Sequence, residues 1–210
     1  MTDTAFATHE TDPALHDKGV PSHATSTGVS NEKLAMWVFL GSDCLLFGAL
    51  ISTYLLVRHK SVDGPTPSHD FFDIPFTSVS SFVLLFSSLT MALAVGAIHR
   101  GDERRCRTFL LTTALLGGVF IAGQVYEFTS FVKEGLGYTT NIFGSAFYTL
   151  TGFHGVHVSV GIIFLLSLVV MSLRGSLGAE RAETVEIFGL YWHFVDIVWI
   201  LIFTVVYLIP

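Results

Sequence analysis

The sequence predicts an all-α integral membrane protein, built as one bundle of five transmembrane helices. Of its residues, 51% are hydrophobic and only 13% are charged, and the mean hydropathy is +0.62. That composition lies outside the range of soluble domains of this length. Its apolar stretches are each long enough to cross a hydrocarbon layer about 30 Å thick, which takes about 20 residues. Their length and their lack of period-2 alternation favour helices over the strands of a barrel.

The elements follow in order along the chain. Residues 1–30 are polar, rich in Thr, Ser, Asp and His, and are predicted to be a disordered tail. Residues 31–210 are predicted to form the membrane domain, whose first helix acts as its own insertion signal. The external loop after the first span carries Phe71 and Phe72, which we expect at the lipid interface or against a partner. The predicted spans are Leu34 to Val57, Phe76 to Ile98, Thr108 to Val132, Ser145 to Leu173 and Ile187 to Ile209.

The distribution of Lys and Arg predicts the orientation of the bundle. Eight basic residues fall on one side of the five predicted spans and three on the other. The first side has Lys18, Lys33, Arg100, Arg104, Arg105, Arg107, Arg174 and Arg181, and the second has Arg58, Lys60 and Lys133. Because basic residues accumulate in cytoplasmic loops, the N-terminus is predicted to be cytoplasmic and the C-terminus external.

Several classes of protein are disfavoured by the composition. The net charge is -6, and there is no basic patch large enough to hold a nucleic acid backbone. Cys44 lies within a span and Cys106 on the predicted cytoplasmic side, so the sequence implies neither a disulfide nor a zinc site. No predicted span is interrupted in its middle, and no internal repeat is visible, which counts against a secondary transporter.

Asp43 is the one acidic or basic residue of the first predicted span. It lies not far from the predicted bilayer midplane, where a charged side chain costs about 3 kcal/mol on insertion scales. From the residues alone, two interpretations have equal weight. Asp43 either handles protons or tunes a neighbouring proton path, or it holds two helices together through a hydrogen bond.

Two further polar pairs lie in the third and fourth predicted spans. Gln124 and Glu127 share one helical face, and we expect them to make structural hydrogen bonds. His154 and His157 lie among small residues that permit close helix approach. Imidazoles are common metal ligands, but this spacing on one helix does not supply both axial ligands of a haem. A hydrogen-bonded structural pair is therefore the favoured interpretation.

The fifth predicted span carries a polar stripe of Glu186, His193 and Asp196. All three fall on one side of the helix, and lipid does not satisfy such groups, so the stripe is expected to face protein. We expect these side chains to bond to neighbouring helices, with His154 or His157 among the partners.

These motifs together resemble subunit III of haem-copper terminal oxidases. The resemblance rests on TGFHGVHV in the fourth predicted span and on the later EIFGLYWHFVDIVW, and it extends back through GQVYEF and SDCLLFGALISTYLL. It covers about residues 31–210 and leaves out only the tail. The chain resembles the bacterial five-helix form, because it lacks the two N-terminal helices of seven-helix members. Those members have Glu where this chain has Asp43. The Asp side chain is one methylene shorter, which puts in question any role that depends on the length of the side chain.

The resemblance implies a non-catalytic subunit of a proton-pumping oxygen reductase in the aerobic respiratory chain of a bacterial plasma membrane. It implies no redox centre in this chain, with haem and copper in the partner subunits. The implied partners are catalytic subunit I, subunit II, small subunits and structural phospholipids, for which Arg174 is a candidate ligand. The same resemblance implies that Asp43 lies close to the proton-uptake side of the catalytic subunit.

The electron donor of the complex and two other protein classes stay open at this point. The motifs are similar to both cytochrome c oxidase and ubiquinol oxidase subunit III, and we favour cytochrome c as the donor because that class is the larger. Another interpretation is a stand-alone membrane haem protein that uses His154, His157 and His193. A third is a proton-coupled transporter that uses Asp43 and Glu127.

Overall fold

The structure is a computed structural model that describes residues 30–58, 60 and 73–209. Nearly all of the predicted disordered tail lies outside these residues, and so do Phe71 and Phe72. The expectations for those parts of the chain therefore stay predictions.

The described residues form five helices, each long and apolar enough to cross a membrane. They are α1 (Asn31–Val57), α2 (Ile74–His99), α3 (Glu103–Lys133), α4 (Ile142–Leu173) and α5 (Ala182–Phe203), and α5 continues as a π-helical turn, Thr204–Leu208. The predicted all-α bundle of five spans is confirmed. The helices begin earlier than the apolar stretches, most clearly in α3 and α5, and the first turns of α5 carry Glu183 and Glu186 at a polar end of the bundle.

Side-chain caps explain where the first four helices start. Each is preceded by a residue whose side-chain oxygen accepts a hydrogen bond from a backbone N–H in the first turn, which satisfies a donor that has no partner within the helix. The capping residues are Ser30, Asp73, Asp102 and Asn141.

Glycines in the left-handed region end α2, α3 and α4. Gly101, Gly135 and Gly175 have φ angles of +74°, +92° and +68°. The residue after each glycine donates its backbone N–H to a carbonyl in the last turn of the preceding helix. This arrangement closes the helix and reverses the chain, and it favours glycine because a side chain is strained at positive φ.

The helices pack as an alternating up-and-down bundle. Helix α2 packs along α3 and α5, α4 packs along α3 and α5, and α1 makes its main contacts with α4 and α5. The starts of α1, α3 and α5 therefore gather at one end of the bundle, here called the Asn31 end. The opposite end is called the Val57 end. Which end faces the cytoplasm stays the prediction made from the basic residues.

Trp192 of α5 fills the centre of the bundle between α3 and α4. Its indole lies against two glycines: a Cβ at Gly117 would stand 2.7 Å from the ring, and a Cβ at Gly161 would stand 2.8 Å from it. The ring is 1% exposed, and its Nε1 donates a hydrogen bond of 2.9 Å to Ser87 Oγ on α2. One side chain thus sets the spacing of four helices.

Candidate functional site

Asp43 lies buried where α1 meets α4, with 6% of its surface exposed. Its Oδ2 is 3.3 Å from Nε2 of His157, although this contact lacks hydrogen-bond geometry. Phe47, one turn further along α1, meets the His157 ring edge-on, with 5.1 Å between ring centroids. The carboxyl and the imidazole are thus held together in an apolar setting, away from the ends of both helices.

The proton arrangement of His157 follows from its second nitrogen. Nδ1 lies 2.7 Å from the backbone carbonyl oxygen of Phe153. A carbonyl only accepts hydrogen bonds, so Nδ1 carries a hydrogen. Nε2 is therefore the ring nitrogen that faces Asp43 Oδ2.

His154 does not form a hydrogen-bonded pair with His157, so that expectation is wrong. Neither ring nitrogen of His154 has a hydrogen-bond partner among the described residues, and the side chain is fully buried. Its ring instead stacks on Trp199, with 4.9 Å between centroids and 26° between planes, and meets the edge of Phe120. The two histidines diverge because positions three apart on a helix point in directions about 60° apart.

Gln124 and Glu127 join α3 to different neighbours. Gln124 Nε2 donates a 3.0 Å hydrogen bond to the carbonyl oxygen of Thr151 on α4. It has room there because Gly155 lacks a side chain, and a Cβ at Gly155 would stand 2.8 Å from Gln124 Oε1. Glu127 accepts a 2.6 Å hydrogen bond from the Thr77 hydroxyl of α2. The Tyr207 hydroxyl also hydrogen bonds to Glu127.

The polar stripe of α5 faces α1 and α2. At the Asn31 end, Glu186 forms an ion pair with Lys33 of α1 and contacts Nε2 of His99 on α2. Two turns further along, His193 Nδ1 lies 2.5 Å from Ser88 Oγ on α2. Asp196 is 2% exposed, and neither of its oxygens has hydrogen-bond geometry with any described group. The stripe faces protein, but within the described residues it makes no hydrogen bond to His154 or His157, because those two rings are directed elsewhere.

Two features of this region escaped the sequence reasoning. The first is the row of α2 serines that receives the tryptophans of α5: Ser81 Oγ accepts a 2.8 Å hydrogen bond from Trp199 Nε1, as Ser87 does from Trp192. A signal was present, since the two tryptophans of α5 are seven residues apart and the two serines of the antiparallel helix α2 are six apart. The second is Arg58, which is 4% exposed and donates to the carbonyl oxygens of Val205 and Ile209. No pattern around Arg58 indicated that contact.

The described residues contain no group of three or more His, Cys, Asp or Glu side chains that could hold a metal ion. His154 is enclosed by aromatic rings, and His157 faces Asp43, so neither imidazole has the room and the neighbours of a metal ligand. Arg174 lies exposed just after α4, at the Asn31 end, among the other basic residues of that end.

Comparison with known proteins gives matches over nearly the whole chain. The sequence model of the family described as cytochrome c oxidase subunit III matches residues 17–209. Cytochrome c oxidase subunit 3 of Bacillus sp. (strain PS3) is 39% identical over 96% of this chain and 94% of its own length. Cytochrome bo(3) ubiquinol oxidase subunit 3 of Pseudomonas aeruginosa is 38% identical over 89% and 88%. A probable quinol oxidase subunit 3 of Staphylococcus saprophyticus is 36% identical over 92% and 96%.

Proposed function

Because this chain belongs to the cytochrome c oxidase subunit III family, we propose that it is the non-catalytic subunit III of a proton-pumping haem-copper oxygen reductase. It is a multi-pass protein of a bacterial cell membrane. In this proposal it docks on catalytic subunit I beside subunit II, stabilises them, and carries no redox centre of its own. The family match over residues 17–209 is the observation that carries the proposal.

Purification tests the assembly directly. An affinity tag on the full chain is expected to recover catalytic subunits that carry haem and copper, together with smaller subunits. The optical spectrum of the chain after separation from those partners is expected to show no Soret band. A Soret band that stays with the separated chain would instead support a stand-alone haem protein.

Cytochrome c is the proposed electron donor of the complex, and a quinol is the alternative. The relatives include oxidases named for cytochrome c and for ubiquinol or quinol at similar identity, so the family match does not separate the two donors. The purified complex is expected to oxidise reduced cytochrome c. Oxidation of ubiquinol without oxidation of cytochrome c would reverse this assignment.

Asp43 is proposed to support proton uptake through its pairing with His157. The carboxyl and the imidazole lie 3.3 Å apart about half-way along α1, and the resemblance implies that the matching family residue lies near the proton-uptake side of the catalytic subunit. Replacing Asp43 by Ala is expected to leave assembly intact and to slow proton uptake a few-fold. That loss is smaller than the roughly 100-fold effect of removing a group that itself transfers the proton.

The control for this variant is Cys44→Ala, which changes the next residue on the exposed side of α1. Turnover and proton uptake by the purified complexes are the measurements. If Asp43→Ala matched Cys44→Ala in both, Asp43 would be a packing residue only.

Structural phospholipid is the remaining part of the proposed function. An apolar groove of about 300 Å³ runs between α3 and α4, beside Val156 and Ile163, and has the dimensions and surface to hold an acyl chain. Arg174 is proposed to hold an anionic headgroup at the Asn31 end. Arg174→Ala is expected to lower the amount of anionic lipid that mass spectrometry finds bound to the complex, and unchanged lipid would remove Arg174 from the proposal.

A further inference from the structure

A cavity of about 500 Å³ opens between α1, α2 and α5 in the half of the bundle nearest the Asn31 end. Two of the residues that line it are small, Ala92 of α2 and Gly189 of α5. Lys33 and Glu186 line it at its outer end, and His193 lines it further in. Most of its lining is apolar, and Lys33, Glu186 and His193 are the polar side chains along which water can enter from the Asn31 end.

His193 connects this cavity to the interior of the bundle. His193 lines the cavity, and its Nδ1 lies 2.5 Å from Ser88 Oγ. A hydroxyl both donates and accepts hydrogen bonds, so Ser88 can take a proton from one neighbour as it passes its own to another. The His193 imidazole and the Ser88 hydroxyl can therefore form a short proton relay.

Asp196 lies at the inner end of that relay. It follows His193 on the same side of α5, and Ser88 lies beside its carboxyl group. Because neither carboxyl oxygen has hydrogen-bond geometry with a described group, a small rotation of the side chain brings one of them to the Ser88 hydroxyl without breaking another bond. A buried carboxyl in membrane surroundings is a position where a proton can be held.

We propose that the cavity, His193 and Ser88 form a proton path from the Asn31 end to Asp196, which is a proton-binding site. A proton from cavity water binds Nε2 of His193. The proton on Nδ1 then moves to Ser88 Oγ as the Ser88 hydroxyl proton moves to the Asp196 carboxylate. One proton enters, one is held on Asp196, and the imidazole and the hydroxyl are again neutral.

The polar groups at the mouth of the cavity lie where water reaches them. Glu186 contacts Lys33 of α1 and His99 of α2, and all three side chains are partly exposed. Among the described residues, α3 and α4 contribute no side chain to the cavity wall. The path is thus separate from the Asp43–His157 pair, and it does not rest on the proposed oxidase function, because it concerns a carboxyl of this chain alone.

Infrared spectroscopy of the full chain in lipid nanodiscs, with whatever subunits co-purify, tests the path. The C=O stretch of a protonated carboxyl shifts when its hydrogen is exchanged for deuterium, and the Asp196 band is identified by its loss in Asp196→Asn. In the wild type this band is expected to shift promptly after transfer into D2O. Ser88→Ala removes the relay hydroxyl and is expected to slow the shift by about 100-fold.

A second variant tests the cavity without touching the relay. Ala92→Leu fills the cavity from an exposed position of α2 and is expected to slow the exchange as well. Its matched control is Ala122→Leu, the same change at an exposed position of α3 that does not line the cavity. The proposal is overturned if Asp196→Asn removes no band, or if the exchange rate is the same in wild type, Ser88→Ala and Ala92→Leu.

Discussion

Trp192 shows how a single side chain organises the interior of this bundle. Its indole is wedged between the bare backbones of Gly117 and Gly161, and its N–H is satisfied by Ser87. Membrane helices gain little from hydrophobicity when they associate, so close packing and internal hydrogen bonds must supply the attraction. The indole supplies both the close packing and a hydrogen bond, and the residues around it leave no room for a larger side chain.

The glycines around Trp192 are therefore expected to tolerate no added methyl group. Gly117→Ala and Gly161→Ala each place a Cβ within 3 Å of the indole, which is expected to cost about 1–3 kcal/mol of stability. Thermal or detergent unfolding of the purified protein measures this loss. Gly118→Ala is the matched control, because a Cβ there meets nothing within 4 Å. An equal loss of stability in Gly118→Ala would mean that helix propensity or lipid contact, and not the indole, sets the cost.

At the scale of elements, the end of α5 depends on a contact from another helix. The π-helical turn Thr204–Leu208 widens the helix, and Arg58 at the end of α1 donates to the carbonyl oxygens of Val205 and Ile209 around it. Wider turns leave carbonyl groups poorly paired within the helix, so an external donor stabilises them. The same turn contains Tyr207, which hydrogen bonds to Glu127 of α3. Arg58 thus helps to hold the last element in the bundle.

Removal of the Arg58 guanidinium is expected to loosen this turn. Arg58→Met keeps most of the aliphatic stem and removes the donors, and charged hydrogen bonds of this kind contribute about 1.5–3 kcal/mol each. Hydrogen exchange of the backbone amides of residues 204–209 is expected to accelerate, while that of α2 and α3 stays unchanged. Lys60→Met serves as the control, because it removes a positive charge from an exposed residue of the same end. Acceleration in both variants would point to net charge as the cause.

At the scale of the whole molecule, length and hydropathy were sufficient to predict the five spans and their alternation, because the bilayer imposes one thickness on every helix. They were not sufficient to predict partners. The spacing of His154 and His157 predicts a pair, yet one stacks on Trp199 and the other faces Asp43. Which neighbour a polar side chain finds depends on the rotation of each helix. That rotation is set by contacts such as the Trp192 wedge, which no single helix encodes.

The sequence also predicts the orientation of the molecule in the membrane. The fold alone does not test that prediction. With eight basic residues on the side of the Asn31 end and three on the other, that end is expected in the cytoplasm. In a background with Cys44 and Cys106 replaced by alanine, cysteines are introduced as Arg174→Cys and Lys133→Cys. A membrane-impermeant maleimide is added to cells whose cell envelope outside the plasma membrane has been permeabilised. It is expected to label position 133 only, and to label both positions once the plasma membrane is also permeabilised. Labelling of position 174 alone before the membrane is opened would show the opposite orientation. The cavity beside His193 would then take up protons from the external side.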